Sequence, residues 1–363
     1  MKIYFPVFIS VLFFIGGCKP KPNLLEKFDR ATLFKNMAEG VMTPAYNEFN
    51  NAVVANQIST STFIGTVNTL NLSTVRMDWN MTVLKWMRCE MFNFEYANAV
   101  SLNAQIGATA ANYEVIETEI HGSNIIDESY ITTAGTTRKG LAAIEYLLYG
   151  INGEQAVIDS FTTSAFAQRR KQYLTSLLQH VHTQTSAAYN SWNGGNSYSN
   201  FVAQTQLDIS GSLNLMVNAL TEHIEFTRRG KIGKPSGIEN AGIVDTTLCE
   251  YRLAKRSIQN IRENIAAWKV IFTGNTGIGL DDYLDHVNAQ YNGAILSTTI
   301  AEQIDLCLTK ANAISVPLTQ ATFEQPTQVS ALHLEIKKLT VLTKIDLASN
   351  LGVVITFSDN DGD

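Results

Sequence analysis

Apolar residues recur at three- and four-residue steps along most of this chain. In VRMDWNMTVLKWMRCEMFNF, Val75, Trp79, Val83, Trp86 and Glu90 fall on one face of a helix. SLNLMVNALTEHIEF repeats the pattern through Leu213, Met216, Leu220 and Ile224, and RLAKRSIQNIRENIAAWKVIF through Leu253, Ile258, Ile261, Ile265 and Trp268. A further helical stretch, QVSALHLEIKKLTVLTKIDLASNLGV, lies near the C-terminus. Strand-like alternation is nowhere sustained, and the seven prolines fall mostly between these segments. The pattern predicts an all-α protein.

Turn residues divide the chain into two halves. SWNGGNSYSN (191–200) is a turn-rich break, and GINGEQAVIDSFTT (150–163) follows a complete helix ending at Gly150, a favourable residue just past a helix end. The expected boundary lies near 160, giving helical bundles at 28–160 and 161–363 with a cleft between them, where facing helices can build a site. RRGKIGKPSGIENAGI (228–243) reads as an irregular, glycine-rich loop in the second half.

The N-terminus adds an address. A basic start at Lys2, an apolar run from Ile3 to Ile15 and Gly16-Gly17-Cys18 have the proportions of a signal peptide over residues 1–17. Small residues before a cysteine resemble a bacterial lipobox, so Cys18 is the expected lipidation site and 18–27 a proline-stiffened tether. The expected location is the bacterial cell envelope, with the membrane as a partner through the lipid, in the outer or inner membrane and facing the periplasm or the surface. No later stretch is apolar enough to span a bilayer. A net charge of −6 argues against nucleic acid, which wants a clustered basic face. Cys18 aside, only Cys89, Cys249 and Cys307 remain, with no CxxC, so buried free thiols are expected rather than a disulfide framework.

At GLAAIEYLLYG (140–150) a single acid, Glu145, stands among apolar residues. This stretch resembles the imelysin family signature, G-x-H-x-x-E followed by an aromatic, two aliphatics, an aromatic and Gly. Gly140, Glu145, Tyr146, Leu147, Leu148, Tyr149 and Gly150 match, while Ala142 stands at the histidine position. Trp79, Trp86, Glu90, Phe92 and Phe94 resemble a second family helix, with Val83 in place of an arginine and Cys89 in place of a serine. KIGKPSG, CEYRLAKRSIQNIRENI and the C-terminal LGVVITFSDNDGD resemble further family segments, so the likeness runs from about 40 to 363. It implies a two-domain helical fold with a pocket near the signature helix, an association with iron or haem acquisition, and the peptidase activity attached to the family name.

The chemistry of that signature is incomplete here. A His and a Glu three apart share a helix face and can face a divalent metal such as iron or zinc. Alanine at 142 has no lone pair to give, so no resident metal or cofactor is assigned. None of the six histidines (His121, His180, His182, His223, His286, His333) has Asp or Glu three residues away, and HExxH is absent. Glu117/His121 and Asp282/His286 look like exposed helix pairs, and His180 and His182 are expected at the surface. No G-x-S-x-G elbow occurs. SDNDGD (358–363) starts like a calcium loop but has no twelfth-position Glu.

What remains is a set of acids on apolar faces, which are costly to bury unless paired or protonated. Glu90, Glu145 and Glu250 are expected to converge on one polar pocket with Trp86 and Ser257, completed by Arg88, Lys231 or Asn260. The resulting expectation is a lipid-anchored, non-catalytic imelysin-like protein that binds iron, haem or another small ligand in its cleft. The alternative is a metal-dependent peptidase whose ligands lie outside the degenerate motif.

Overall fold

The computed structural model describes residues 27–107 and 110–357. The signal segment, Cys18 and the acidic 358–363 tail lie outside them. The described chain is helical apart from one two-stranded hairpin. Helix α1 (Arg30–Asn36) passes through a π-helical turn into α2 (Thr43–Gly65), and α3 (Thr69–Met87) packs back along α2. Short helices follow: α4 (Tyr96–Ala99), α5 (Leu102–Ile106), α6 (Tyr113–His121) and α7 (Glu128–Thr133). The signature helix α8 (Gly140–Tyr149) and α9 (Glu154–Thr162) lead to the long α10 (Ala167–Trp192) and to α11 (Asn196–Ala203). The later helices are α12 (Ser212–Phe226), α13 (Ser257–Thr273), α14 (Leu280–His286), α15 (Leu296–Asn312), α16 (Leu318–Glu324), α17 (Pro326–Val341) and α18 (Ala348–Leu351). Strands β1 (Gln290–Tyr291) and β2 (Ala294–Ile295) pair antiparallel around Asn292-Gly293, both at positive φ as a tight hairpin turn requires.

The predicted faces are the buried ones. Val75, Trp79, Val83 and Trp86 are buried on α3, and Leu213, Met216, Leu220 and Ile224 on α12. Gly150 ends α8 at φ 58°, its amide bonded to the Tyr146 carbonyl. The third pattern runs too far: α13 begins at Ser257 rather than at Leu253, because Lys255 adopts φ 58°, incompatible with a right-handed helix. The 228–243 segment is also not all loop. Its first part continues α12 as a π-helical turn, Thr227–Gly233.

Packing joins the halves tightly. Helix α10 follows the boundary expected near 160 but packs against α2, α7, α8 and α9. Helices α12 to α18 associate mainly with one another, and α13 also crosses α3. One continuous apolar core runs through both sets, which holds the end of α3 firmly against α12 and α13.

Candidate functional site

The site begins where α3 stops. Past Met87 the amides of Cys89 and Glu90 both bond to the Trp86 carbonyl, a tight turn that delivers the Glu90 side chain inward, 6% exposed. Three donors from the second half meet one of its oxygens. His223 Nε2 lies 2.9 Å from Glu90 Oε1, Asn264 Nδ2 donates to it at 2.8 Å, and Lys231 Nζ also donates to it. His223 and Lys231 are eight residues apart, which on an α-helix sets them about 80° apart around the axis. The π-helical turn carries an extra residue per turn and winds Lys231 back over His223. On α13, Asn264 and Trp268 are four apart and share a face.

Lys231 is ringed by acceptors. Its Nζ contacts Glu90, Asn264 Oδ1 at 3.0 Å, Glu250 Oε1 at 3.3 Å and Met87 Sδ at 3.5 Å. Burial penalises the ammonium, but Glu250 and Glu90 outweigh that penalty and hold its pKa above the ordinary lysine value. Burial would raise the Glu90 carboxyl; Lys231 and the bond with His223 win, holding it well below the usual carboxylate range. Glu250 goes the other way, because its burial exceeds what Lys231 offsets.

Trp268 fixes the histidine. An indole N–H can only donate, and Trp268 Nε1 donates to His223 Nδ1 at 2.9 Å. The proton of the neutral ring therefore sits on Nε2 and is donated to Glu90. Burial keeps the ring neutral by lowering its pKa, against the opposing pull of Glu90. Neither nitrogen has a lone pair to spare.

Glu145 lies behind this network. On α8 its Oε1 accepts from the Ala254 amide at 2.8 Å, four residues past Glu250. Burial pushes its pKa up to about 8; hydrogen bonds from the 253–254 backbone only partly oppose the rise, and the nearby Glu250 adds to it. Glu145 is thus mostly protonated at neutral pH. Ser257 donates to the Glu250 carbonyl and staples the turn in which Tyr251 and Lys255 take positive φ. Glu250 Oε2 and the Tyr251 hydroxyl are buried with no protein partner among the described residues.

A cavity of about 240 Å³ opens onto Glu90 between the segment after α3 and the end of α12. Trp86, Met91, Ala219 and Phe226 give it apolar wall, and Glu90, Glu222, Asn93, Asn103 and His223 give it polar groups. Trp86 Nε1 has no partner among the described residues, and a Cβ at Gly107 would come within 2.6 Å of it. Only glycine lets the chain pass that close. A larger groove of about 610 Å³ lies between α2, α7 and α10, lined by residues such as Gln168, Gln172 and Gln179, far from this network.

The imelysin (peptidase M75) model matches residues 42–345. The chain belongs to the imelysin family. A crystal structure of an imelysin-like protein from Psychrobacter arcticum 273-4 is similar over 89% of this chain and 96% of its own, with TM-score 0.71 and 16% identity. A protein from Parabacteroides distasonis ATCC 8503, described as a candidate iron-regulated protein A precursor, superposes over 93% of this chain and 97% of its own, with TM-score 0.73 and 16% identity. No curated protein is similar enough in sequence to be matched.

Within this imelysin fold the three acids do meet around one buried region, in two layers. Trp86 and Glu90 line the cavity, whereas Glu145, Glu250 and Ser257 sit behind Lys231. Ala142 is buried on the same helix as Glu145. Asn260 is buried on α13, while Arg88 turns outward to Glu48 and Glu263. His180 is a core residue rather than a surface one: it is fully buried, with Nδ1 3.3 Å from Thr132 Oγ1, and burial with Lys139 nearby lowers its pKa to about 4. Glu117 pairs with Arg170 as well as His121, and Asp282 caps the Gly279 amide.

A divalent metal, which the family's names invite, does not fit the residues present. Glu90 Oε1 already takes three donors, both His223 nitrogens are engaged, and the Lys231 ammonium stands between the two carboxylates. Among the described residues no group of three or more His, Cys, Asp or Glu is arranged to hold a metal ion. His223, Asn264 and Trp268 belong to the site although no motif in the sequence marks them. The available signal was position: His223 follows Leu220 by three and Met216 by seven, on the apolar face of α12.

Proposed function

We propose that this imelysin-family chain is a lipid-anchored binding protein of the bacterial cell envelope that holds a small ligand beside Glu90 and does not cleave peptides. The observation that carries this reading is that His223 and Lys231, the two nitrogen groups beside Glu90, are both fully engaged. Hydrolysis needs a base with a free lone pair, an activated nucleophile or a metal-bound water. His223 spends one nitrogen accepting from Trp268 and the other facing Glu90. Lys231 is held protonated. Burial raises the thiols away from reactive thiolates, to about 12 for Cys249 and Cys307 and well up for Cys89.

With His223, Lys231 and Glu90 Oε1 engaged with one another, the network shapes a cavity floor that presents Glu90 Oε2. The cavity, at about 240 Å³, falls below the range of roughly 300–1,000 Å³ typical of drug-sized ligands. That favours a compact molecule over a haem macrocycle. A link to iron is supported by the family resemblance and by the name of the P. distasonis protein, an iron-regulated protein A precursor. The peptidase reading is tested by incubating the purified chain with insulin, with and without EDTA. Intact insulin is expected in both. Hydrolysis that EDTA blocks and that Glu90→Gln abolishes would overturn the proposal.

A further inference from the structure

The cavity beside Glu90 has a charge pattern that selects among small ligands. Its lining holds two carboxylates, Glu90 at the floor and Glu222 at the rim, and no Lys or Arg. The nearest cation, Lys231, is 1% exposed at its side chain, with its ammonium 5.9 Å from the Phe226 ring centroid. Its ammonium is shared between Glu90 Oε1 and Glu250. All three donors to Glu90 converge on Oε1. Oε2 takes no donor from the described residues and is left to the space that Glu90 lines.

Aromatic groups complete the pattern. Phe226, 42% exposed, stands at the mouth four residues after Glu222, so the two share a face of α12. Trp86 is a buried wall residue whose indole N–H has no partner among the described residues. Buried polar groups are ordinarily hydrogen-bonded, so this N–H is free for an acceptor that reaches it. The site thus asks for a positive, proton-donating end toward the carboxylates and an acceptor for the indole. The volume corresponds to about eight waters at roughly 30 Å³ each.

We infer that the cavity binds a small organic ammonium carrying a hydrogen-bond acceptor, an amino alcohol being the simplest match. The ammonium sits between Glu90 Oε2 and the Glu222 carboxylate with Phe226 beside it. The hydroxyl oxygen accepts from Trp86 Nε1. This inference rests on the small-ligand reading above and gives that ligand its class.

Titration of the full-length protein with ethanolamine and 3-amino-1-propanol, against glycerol and acetate as size-matched controls, tests it. Binding is followed by calorimetry and by the indole N–H resonance of Trp86. The ammonium probes are expected to bind at least about tenfold more tightly than glycerol, as charge-assisted bonds to a carboxylate contribute. Their affinity should fall with added salt. Glu222→Gln should weaken them about threefold, as for an exposed charge pair, and Phe226→Ala by a similar factor through the lost aromatic face. Both residues are exposed enough that the variants keep the fold. If glycerol or acetate binds as well as the ammonium probes and shifts the Trp86 resonance, the ligand class is wrong while the cavity remains a binding site. If no probe of any charge moves that resonance, the ammonium assignment and the binding role of this cavity fall together.

Discussion

Lys231→Met is the most informative single change, because it removes the one cation on which two buried carboxylates depend. Methionine keeps the length of the stem and deletes the ammonium that Glu90, Glu250 and Asn264 surround. Glu90 would retain His223 and Asn264 as donors, but Glu250 Oε1 would lose its cation while Oε2 already has no protein partner. At 3% exposure Glu250 cannot turn to water, and Glu90, 6% exposed, reaches only the cavity it lines. Breaking a buried ion pair from one side costs about 3–5 kcal/mol, a large share of a typical folding free energy of about 5–15 kcal/mol. At roughly 2–4 °C per kcal/mol, the Tm should fall on the order of 10 °C near pH 7.5. The pH dependence gives the sharper readout. In the wild type, Glu90 is depressed below 4.5 and favours folding above that value. Without Lys231 its burial dominates and its folded pKa rises above 4.5, so the variant loses stability as pH climbs through the new value. The gap between the two proteins should therefore widen from pH 5 to pH 8. Urea melts at both pH values measure it, with far-UV circular dichroism to verify the fold. Adding Glu250→Gln to the variant should recover at least about 1 kcal/mol relative to additivity. A loss under about 1 kcal/mol with parallel pH profiles would refute the claim that Lys231 neutralises this pair.

Two further changes probe the surroundings. Glu145 has its pKa raised from 4.5 to about 8, so its contribution to stability is fully present below 4.5 and lost as pH rises toward 8. Glu145→Gln, which still accepts from the Ala254 amide, should gain on the wild type by a few kcal/mol between pH 5 and 8.5 at about 1.4 kcal/mol per unit; equal urea midpoint shifts in both proteins would sink this. Gly107→Ala places a Cβ 2.6 Å from Trp86 Nε1, so the indole must move into the cavity, costing about 1–3 kcal/mol and altering the near-UV circular dichroism of the tryptophans. An unchanged near-UV spectrum would show that the close approach is not maintained in solution.

The helical faces were legible because burial follows period: Trp79, Val83 and Trp86 could be assigned to the core from spacing alone. Leu253 could not be separated from the same series, since a backbone turning to positive φ at Lys255 leaves no hydrophobic trace. Gly150 and the polar residues after it do end a helix, yet α10 returns to pack on α2 and α8, and a turn signal says where a helix stops rather than what the next one packs against.

The site followed the same division. An acid on an apolar face announces that something must neutralise it, and Glu90, Glu145 and Glu250 were conspicuous on that ground. The identity of each partner is a long-range matter. Glu90 meets His223 across 133 residues, Lys231 across 141 and Asn264 across 174, so inspecting the neighbours of each histidine for a nearby acid could not find the contact. The π-helical turn that swings Lys231 into line has no periodic signature of its own. Even the apolar-face criterion that flags His223 flags His180 equally, three residues after the buried Leu177. Only the electrostatic surroundings divide them. His180 is neutralised by burial with Lys139 nearby and offers Thr132 a single contact, whereas His223 is clamped between an indole that fixes its tautomer and a carboxylate that consumes its proton. A histidine held at both nitrogens orients an acid, and that is the physical ground for reading this cavity as a binding site.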